Sequence, residues 1–562
     1  MATTTVSGTV AAPRVVPAAP TARINLIVQK RELIAVFGAV SGVCLLVAAW
    51  YMLAVGSVIG DALARSLTAV TAAHSQYPKL ASLGFIWPPL LSLLQIPLVH
   101  IPGLSTYGFS GGIVTALFAG GTAAVFDLIF ARAGFRRAAR LVAIVLLMVF
   151  NPFMLFYGAN GMSEMPLIFF VVFGTYAFLR WTDTDRLEWL MAAGVGTALM
   201  VLVRYDAWFY AAAFAGAVAL VQGWREPGGR TGKAQSPRLP QISANVITYA
   251  VPVVFITFLW ILFNWQIKGN GLYFLNSEYS NAAVLAQAGE RESVTALQAS
   301  PLNFLLYVFE TTVFLAPLLP IGLMALVALT LAERSPRHVA LAGILLSVPV
   351  FEWVSYRQGQ TFGFWRYYIT LIPAAAIVMA EVVRTIRAAH VRRALTVLFL
   401  GGLGIGALTV AAAMDIGGTE RFMDSKPICS SGRTVDQDFV QSLFQPGRKL
   451  DVCAVEREMA VYVLAKVPGR GTLTDVSGEG VVMLSEVPSR FVLLSDGDYS
   501  RIAANPLAFG VTHVIVSREK TAFSVLDGYF PKVQSDNPPG LVLEKELGKL
   551  RLYRIAPGGT AR

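Results

Sequence analysis

Long apolar runs separated by short polar segments fill most of the first 414 positions of the chain. An α-helix needs roughly 20 apolar residues to cross the hydrocarbon core of a bilayer, and most of these runs approach that length. The first run is too long for the apolar region of about 7–15 residues in a cleaved signal peptide, so it predicts an uncleaved span. The pattern predicts about eleven transmembrane helices, at 32–55, 110–131, 140–158, 164–181, 188–204, 207–222, 244–266, 304–331, 338–355, 367–383 and 394–414.

The pattern changes after Asp415 to shorter, β-rich runs with a helical stretch at 456–467. Such a mixture predicts a small α/β domain. The runs lie at 450–455, 490–494, 512–516, 541–547 and 550–555, and the last two flank Gly548-Lys549, which predicts a hairpin turn. We therefore expect a disordered cytoplasmic N-terminal tail (1–31), a transmembrane domain (32–414) with a long first outer loop (56–110), and an extracytoplasmic soluble α/β domain (415–562).

The first outer loop contains an apolar stretch that cannot form one continuous helix. Pro88, Pro89 and Pro97 interrupt it, and proline removes a helical hydrogen bond and clashes with the preceding turn. We expect short amphipathic helices that lie along the membrane interface.

Basic residues alternate along the chain in a way that predicts its orientation. Cytoplasmic loops carry an excess of lysine and arginine. The basic loops here contain Lys30 and Arg31; Arg132, Arg136 and Arg137; Arg225, Arg230, Lys233 and Arg238; Arg334 and Arg337; and Arg384, Arg387, Arg392 and Arg393. With an odd number of spans, the N-terminus lies inside and the C-terminal domain outside. We expect the membrane to be the bacterial cytoplasmic membrane.

Composition agrees with the membrane class and excludes several others. Of the 562 residues, 55% are hydrophobic and 14% charged, whereas soluble domains carry about 25% charged residues. The net charge of +11 does not indicate a nucleic-acid partner, because the basic residues lie between apolar segments. No zinc-ligand spacing, Walker loop or dinucleotide fingerprint is present. A disulfide between Cys429 and Cys453 is compatible with an outer domain but stays open.

Three acids fall on the predicted outer side of the membrane, next to span ends: Asp61, Glu164 and Asp206. Ionisable groups at membrane depth cost roughly 2.5–3.5 kcal/mol on insertion scales, so their placement is informative. One carboxylate could take a proton from an acceptor hydroxyl, while others orient a sugar or hold a divalent cation. The ordinary alternative is that each acid simply ends a helix, where Glu164 would favour the helix dipole.

Basic and aromatic candidates lie on the same predicted side. Arg366 and Tyr367 open the tenth span, Arg357 precedes them by nine residues, and Arg204 stands beside Asp206. A guanidinium can bind a phosphate with two hydrogen bonds, although arginines and aromatic residues also anchor span ends at the interface. His74 in the first outer loop is a further candidate, but a lone histidine more often packs or faces solvent.

This layout resembles the GT-C superfamily of polyprenyl-phosphate-dependent glycosyltransferases, especially bacterial relatives of protein O-mannosyltransferases and of the aminoarabinose transferase that modifies lipid A. The resemblance covers about 32–414. It rests on Asp61 in Gly60-Asp61-Ala62 after the first span, the long first outer loop, Glu164 in Asn160-Gly161-Met162-Ser163-Glu164, and Arg366-Tyr367 late in the membrane region.

The resemblance implies roles for these residues. Asp61 alone maps to the catalytic carboxylate of the superfamily, which activates the acceptor hydroxyl. The residue pattern described above adds Glu164 as a second catalytic candidate, and Asp206, Arg204, Arg366, Tyr367, Arg357 and His74 as substrate-binding candidates. Many relatives have two adjacent acids at the first position, whereas Asp61 stands alone, which leaves metal dependence open. The implied reaction is an inverting single displacement from a polyprenyl-phosphate sugar to a glycan, lipid or protein acceptor of the cell envelope.

Three other functions are compatible with parts of the pattern. A transporter or flippase of lipids or sugars would explain the spans, but it predicts a polar path into the cytoplasmic half. A membrane scaffold would explain the outer domain, yet gives no reason for the acids and Arg366 to converge. A polymer ligase of the same broad fold would rely on outer-loop arginine and histidine residues.

The predicted orientation can be tested with reporter fusions after Glu226 and after Gly417. We expect the first reporter to face the cytoplasm and the second to face the exterior, because basic loops stay inside. The opposite result at either position would reverse the placement of every candidate acid.

Overall fold

The computed structural model describes residues 20–54, 60–76, 79–224, 238–277, 280–288, 292–416, 453–519 and 524–557. Most of the predicted N-terminal tail and the beginning of the predicted C-terminal domain, with Cys429, therefore lie outside the described residues. The first helix begins at Pro20, so the last part of the predicted tail is helical. Proline is favoured in the first turn of a helix, and neither glycine nor proline interrupts the chain between that residue and the span.

Within the described ranges, eighteen α-helices precede residue 417. They are α1 Pro20–Ala48, α2 Gly60–His74, α3 Leu90–Val99, α4 Phe109–Arg132, α5 Arg137–Val145, α6 Pro152–Tyr157, α7 Glu164–Thr184, α8 Leu187–Val201, α9 Ala207–Trp224, α10 Arg238–Lys268, α11 Tyr273–Asn276, α12 Asn281–Ala288, α13 Glu292–Ala299, α14 Pro301–Leu315, α15 Leu319–Glu333, α16 Arg337–Arg357, α17 Leu371–Thr385 and α18 Ala389–Ile416.

All eleven predicted spans coincide with helical segments, but three of them differ from a single continuous span. Eight helices in the described chain are long and apolar enough to cross a membrane, and a ninth span results if α14 and α15 count together. These two helices meet at 100°. Pro317 lies at the break and disfavours helical backbone in the residue before it, and Ala316 is accordingly non-helical, with φ −147° and ψ 66°.

The other two differences have local causes. The predicted span 140–158 is divided into α5, a π-helical turn Leu146–Phe150, and α6. Pro152 opens α6, and the Asn151 side chain caps it by accepting hydrogen bonds from the backbone N–H groups of Phe153 and Met154. The predicted span 188–204 is the shorter helix α8, which ends before Arg204.

Small residues allow the helices of the bundle to approach closely, as is common in membranes. At Gly120 on α4, a β-carbon would collide with Ser41 and the Phe37 carbonyl of α1. At Gly194 on α8, it would collide with the backbone of Tyr249 on α10. Side chains larger than hydrogen at these positions would force the helices apart.

The first outer loop forms short helices, as predicted. Helix α2 packs on α3, and hydrogen bonds join both to α4. The Ser66 and Ser110 hydroxyls both donate to Oε1 of Gln95, at 2.6 and 2.8 Å. Because this glutamine is fully buried, these bonds fix α2 against the transmembrane bundle.

The C-terminal domain contains a five-stranded mixed sheet in the order β2-β1-β3-β5-β4. The strands are β1 Thr472–Thr474, β2 Phe491–Val492, β3 His513–Ser517, β4 Leu541–Leu547 and β5 Leu550–Ile555, and the helices are α19 Ala454–Lys466, α20 Glu479–Ser485 and α21 Tyr499–Ala504. Strands β1, β2 and β3 are parallel, while β5 pairs antiparallel with β3 and β4.

Two sequence predictions for this domain have different outcomes. The β4–β5 hairpin turns at Gly548, whose φ of 54° suits glycine, so the predicted hairpin is confirmed. The predicted strand at 450–455 is wrong over its described part, because α19 begins at Ala454. Of the described cysteines, Cys44 is free and Cys453 is disulfide-bonded.

One end of the bundle carries a buried network of arginines, which we call the arginine-rich end. Arg132 of α4 contacts Asp183 of α7 at 2.6 Å and Glu381 of α17 at 2.7 Å. Arg337 of α16 contacts the same two acids at 2.9 and 3.3 Å, and Arg384 contacts Glu381 at 2.9 Å. The network joins four helices at the end that the basic loops predicted to be cytoplasmic.

Candidate active site

Four carboxylates and three arginines converge at the opposite end of the bundle, which we call the site end. Each lies near the end of a helix, where the chain turns and side chains from several helices can meet. The carboxylates are Asp61 (α2), Glu164 (α7), Asp206 (before α9) and Glu352 (α16), and the arginines are Arg65 (α2), Arg204 (after α8) and Arg366 (before α17).

Asp61 and Arg366 form a direct ion pair. Both terminal nitrogens of Arg366 donate to Oδ2 of Asp61, at 3.3 and 3.2 Å. The Arg366 side chain is 7% exposed, whereas the Asp61 side chain is 34% exposed. The side chains of Glu164, Asp206 and Glu352 are 1%, 4% and 6% exposed. Asp61 is therefore the carboxylate of this cluster that a substrate can reach.

Glu164 lies between two arginines behind this ion pair. Its Oε1 is 3.3 Å from Arg204 and 3.9 Å from Arg366. A tight turn before α7 places it, because Gly161 has φ 78° and the Asn160 side chain accepts from the Met162 N–H at 3.0 Å. Glutamate in the first turn of α7 also interacts favourably with the helix dipole.

Arg204 is shared by three acids. Its Nε donates to both carboxylate oxygens of Asp206 at 3.0 Å, and its terminal nitrogens lie 3.3 Å from Glu164 and 3.5 Å from Glu352. Burial alone would lower the pKa of Arg204, but the attraction of these three acids outweighs burial and raises it. Tyr367 lies against two guanidinium groups, with its ring centre 5.3 Å from Arg204 and 5.2 Å from Arg366.

Arg65 is the arginine of the cluster that the sequence analysis missed. It follows Asp61 by four residues, which puts both on one face of α2, and that spacing was the available signal. Its guanidinium donates to the Asp61 backbone carbonyl at 3.3 Å and to the Ser163 hydroxyl at 3.5 Å, and lies 4.8 Å from the Trp87 ring centre.

Unlike the other two arginines, Arg65 forms no salt bridge within the described part of the chain, although it is only 8% exposed. Burial lowers the pKa of this guanidinium. Asp61 and Glu164 attract the guanidinium only from beyond salt-bridge distance, so the position suits a site that is completed by an anionic ligand.

Two predicted binding residues contact groups outside the cluster. The Arg357 guanidinium lies over the Phe304 ring, 5.1 Å from its centre. The His74 ring nitrogen Nε2 lies 3.1 Å from the Val99 carbonyl oxygen, and the ring packs against His100. The structure therefore brings Arg204, Arg366 and Tyr367 together with the acids but not these two residues.

The carboxylates do not form a metal-binding group. No three His, Cys, Asp or Glu side chains in the described ranges are arranged to hold a metal ion. The acids of the cluster face guanidinium groups instead, so we derive no step through a metal.

The C-terminal domain packs on the helix that carries Asp61. Helix α20 and the turn Pro488–Arg490 contact α2. The Thr106 hydroxyl donates to the Glu486 carboxylate, and the Arg457 guanidinium lies 5.7 Å from the Tyr107 ring centre. The domain is thus placed directly beside the site.

Comparisons with known proteins identify the class. Residues 107–234 match the family model described as dolichyl-phosphate-mannose-protein mannosyltransferase, and this segment contains Glu164, Arg204 and Asp206. No curated protein sequence matches the chain. Two crystal structures of ArnT from Cupriavidus metallidurans, one apo and one bound to undecaprenyl phosphate, are similar in fold, each with a TM-score of 0.53 and 12% identity, over 96% and 97% of this chain and 100% of theirs.

Both the fold and the matched segment belong to one class of membrane enzyme. The chain has the membrane fold of the GT-C glycosyltransferases, and its segment 107–234 is similar to one glycosyltransferase family. The predicted superfamily, fold class and type of enzyme are confirmed, and the transporter alternative is not supported.

The different environments of Arg65 and Arg204 predict different effects on stability. Arg204→Gln leaves three buried acids with one partner fewer, which should lower the free energy of unfolding by about 3–5 kcal/mol. Arg65→Gln removes a buried charge that forms no salt bridge with a described residue, so it should lower the free energy of unfolding much less than Arg204→Gln does. Thermal unfolding in detergent measures both. If the two variants unfold at equally reduced temperatures, Arg65 has a structural role instead.

Proposed function

We propose that the protein transfers a sugar from a polyprenyl-phosphate carrier to an acceptor hydroxyl, with Asp61 as the general base. The observation that carries this assignment is the exposure of Asp61, at 34%, in a cluster whose other carboxylates are almost completely buried. A general base must come within hydrogen-bonding distance of the proton that it removes.

The reaction is a single displacement with inversion. The acceptor oxygen forms a bond to the anomeric carbon as the bond from that carbon to the phosphate oxygen breaks. The acceptor proton passes to Asp61, and the bonding electrons leave with the phosphate. Positive charge develops on the sugar ring in the transition state, and an already anionic leaving group needs no strong general acid.

Arg65 and Arg366 are the proposed ligands of the carrier phosphate. Both are buried within contact of Asp61, and a guanidinium matches the geometry of a phosphate oxygen pair. The structure of ArnT bound to undecaprenyl phosphate supports a polyprenyl phosphate as the class of carrier.

The remaining members of the cluster hold these groups in position. Glu164, predicted as a second catalytic residue, is 1% exposed and contacts Arg204 and Arg366, so we assign it a positioning role. Asp206 and Glu352 fix Arg204 in the same way, and Tyr367 separates the two guanidinium groups.

We further propose that the site end faces the exterior of a bacterial cytoplasmic membrane, with the N-terminus inside. The distribution of basic loops supports this orientation. The acceptor is then a glycan, lipid or protein of the cell envelope, and the C-terminal domain beside α2 helps to position it. Two acids of this domain, Asp496 and Asp498, contact Arg470 at 2.6 and 3.1 Å and serve its structure.

The assignment of Asp61 predicts the effect of Asp61→Asn. Asparagine has nearly the same shape but cannot take the proton, so turnover should fall by about 10²–10⁴-fold while the protein stays folded. Sugar transfer in proteoliposomes and a melting curve measure the two properties. The control is Glu188→Gln at the arginine-rich end, an exposed residue whose change should leave turnover unaltered. Wild-type turnover in Asp61→Asn would exclude Asp61 as the base.

The assignment of Arg65 predicts a loss of donor affinity in Arg65→Gln. Hydrogen bonds to charged groups contribute about 1.5–3 kcal/mol, which corresponds to roughly 10–100-fold in the dissociation constant. The dissociation constant is measured by titrating the protein in nanodiscs with decaprenyl phosphate. Arg357→Gln is the matched control and should bind normally. A loss confined to Arg357→Gln would move the phosphate site away from the cluster.

A further inference from the structure

The Asp61–Arg366 ion pair joins two groups that serve opposite halves of the proposed reaction. Asp61 must accept a proton from the acceptor, and Arg366 must stabilise the phosphate that leaves. In the structure, however, the two side chains bind each other, since both terminal nitrogens of Arg366 donate to Oδ2 of Asp61.

Arg366 has few other partners to hold it. Its second carboxylate, Glu164, is farther away at 3.9 Å, and its Nε is buried with no hydrogen-bond partner in the described ranges. Arginine can present two parallel N–H groups to an anion, and a phosphate accepts both more strongly than one carboxylate oxygen does. The ion pair with Asp61 is therefore replaceable by a phosphate without moving the buried guanidinium.

The pair also affects what Asp61 can do. The lone pairs of Oδ2 are directed at Arg366 and not at a hydroxyl. While the pair exists, Oδ2 of Asp61 and the terminal nitrogens of Arg366 bind each other and neither binds a substrate.

We propose that the carrier phosphate exchanges with Asp61 on Arg366, so that donor binding itself releases the base. This inference rests on the proposed function and adds an order to it: the donor binds first, and the acceptor hydroxyl is activated afterwards. Arg366 is then a positioning residue for Asp61 in the free enzyme and a phosphate ligand in the donor complex.

The exchange predicts that Asp61→Asn binds the carrier more tightly than the wild type does. Asparagine removes the charge that competes for Arg366, so decaprenyl phosphate should bind at least about fivefold more tightly, within the usual range of coupling between two sites. The measurement is titration in phosphatidylcholine nanodiscs, with a melting curve for each variant. Unchanged or weaker binding in Asp61→Asn would falsify the exchange.

Asp206→Asn is the matched control for charge. It removes one carboxylate from the same cluster, but from Arg204, and leaves the Asp61–Arg366 pair intact. We expect a smaller gain in affinity than in Asp61→Asn. Equal gains would mean that phosphate binding responds only to total charge, and the exchange would be refuted.

A double-mutant cycle isolates the contribution of Arg366. In an Arg366→Gln background, Asp61→Asn should give no further gain, because no guanidinium is released. A gain that persists there would refute the exchange. A different result would refute the proposed function, namely wild-type turnover in Asp61→Asn. If turnover is lost but binding is not tightened, the proposed function is supported and the exchange is refuted.

Discussion

Buried charge is the constraint on which this structure depends. A carboxylate or guanidinium removed from water costs several kcal/mol unless an opposite charge and hydrogen bonds replace the solvent. The bundle meets this requirement at both ends, but differently. At the arginine-rich end, Asp183 and Glu381 are fully engaged by arginines and tie four helices together. At the site end, Asp61 stays partly exposed and Arg65 forms no salt bridge with any residue that the structure describes, which suits an anionic substrate.

Local breaks in the helices make the site end possible. The chain turns at Gly161, and α8 ends before Arg204. These breaks let Glu164 and Arg204 lie inside the bundle at the site end. Helix α2 is fixed by hydrogen bonds from Ser66 to Gln95 and is covered by the C-terminal domain. Asp61, the proposed general base, therefore lies on a short helix between the transmembrane bundle and the C-terminal domain, where a lipid-linked donor and its acceptor would meet.

Much of the architecture was legible in the sequence. The apolar runs placed a span at eleven positions, and each of these positions is helical in the structure, because the thickness of a bilayer sets the length of a span. The Gly548 hairpin was recognisable from its turn residues. The breaks at Pro317 and Pro152 were missed because hydropathy averages over a window and does not respond to a single proline. The end of the strand predicted at 450–455 was wrong, because a short apolar run does not distinguish a strand from a helix.

For the site, the sequence determined which charged residues stand at helix ends on one side, and so it identified Asp61, Glu164 and Arg366 as candidates. It could not determine which acids and arginines form ion pairs. Arg366 lies 305 positions from Asp61 along the chain, and only helix packing brings them into contact. The same packing excluded Arg357 and added Arg65. The interaction between two charges depends on their separation in space and not on their separation in sequence. Side-chain packing across the whole bundle sets the distances between the helices, and so it decides which charged residues form pairs.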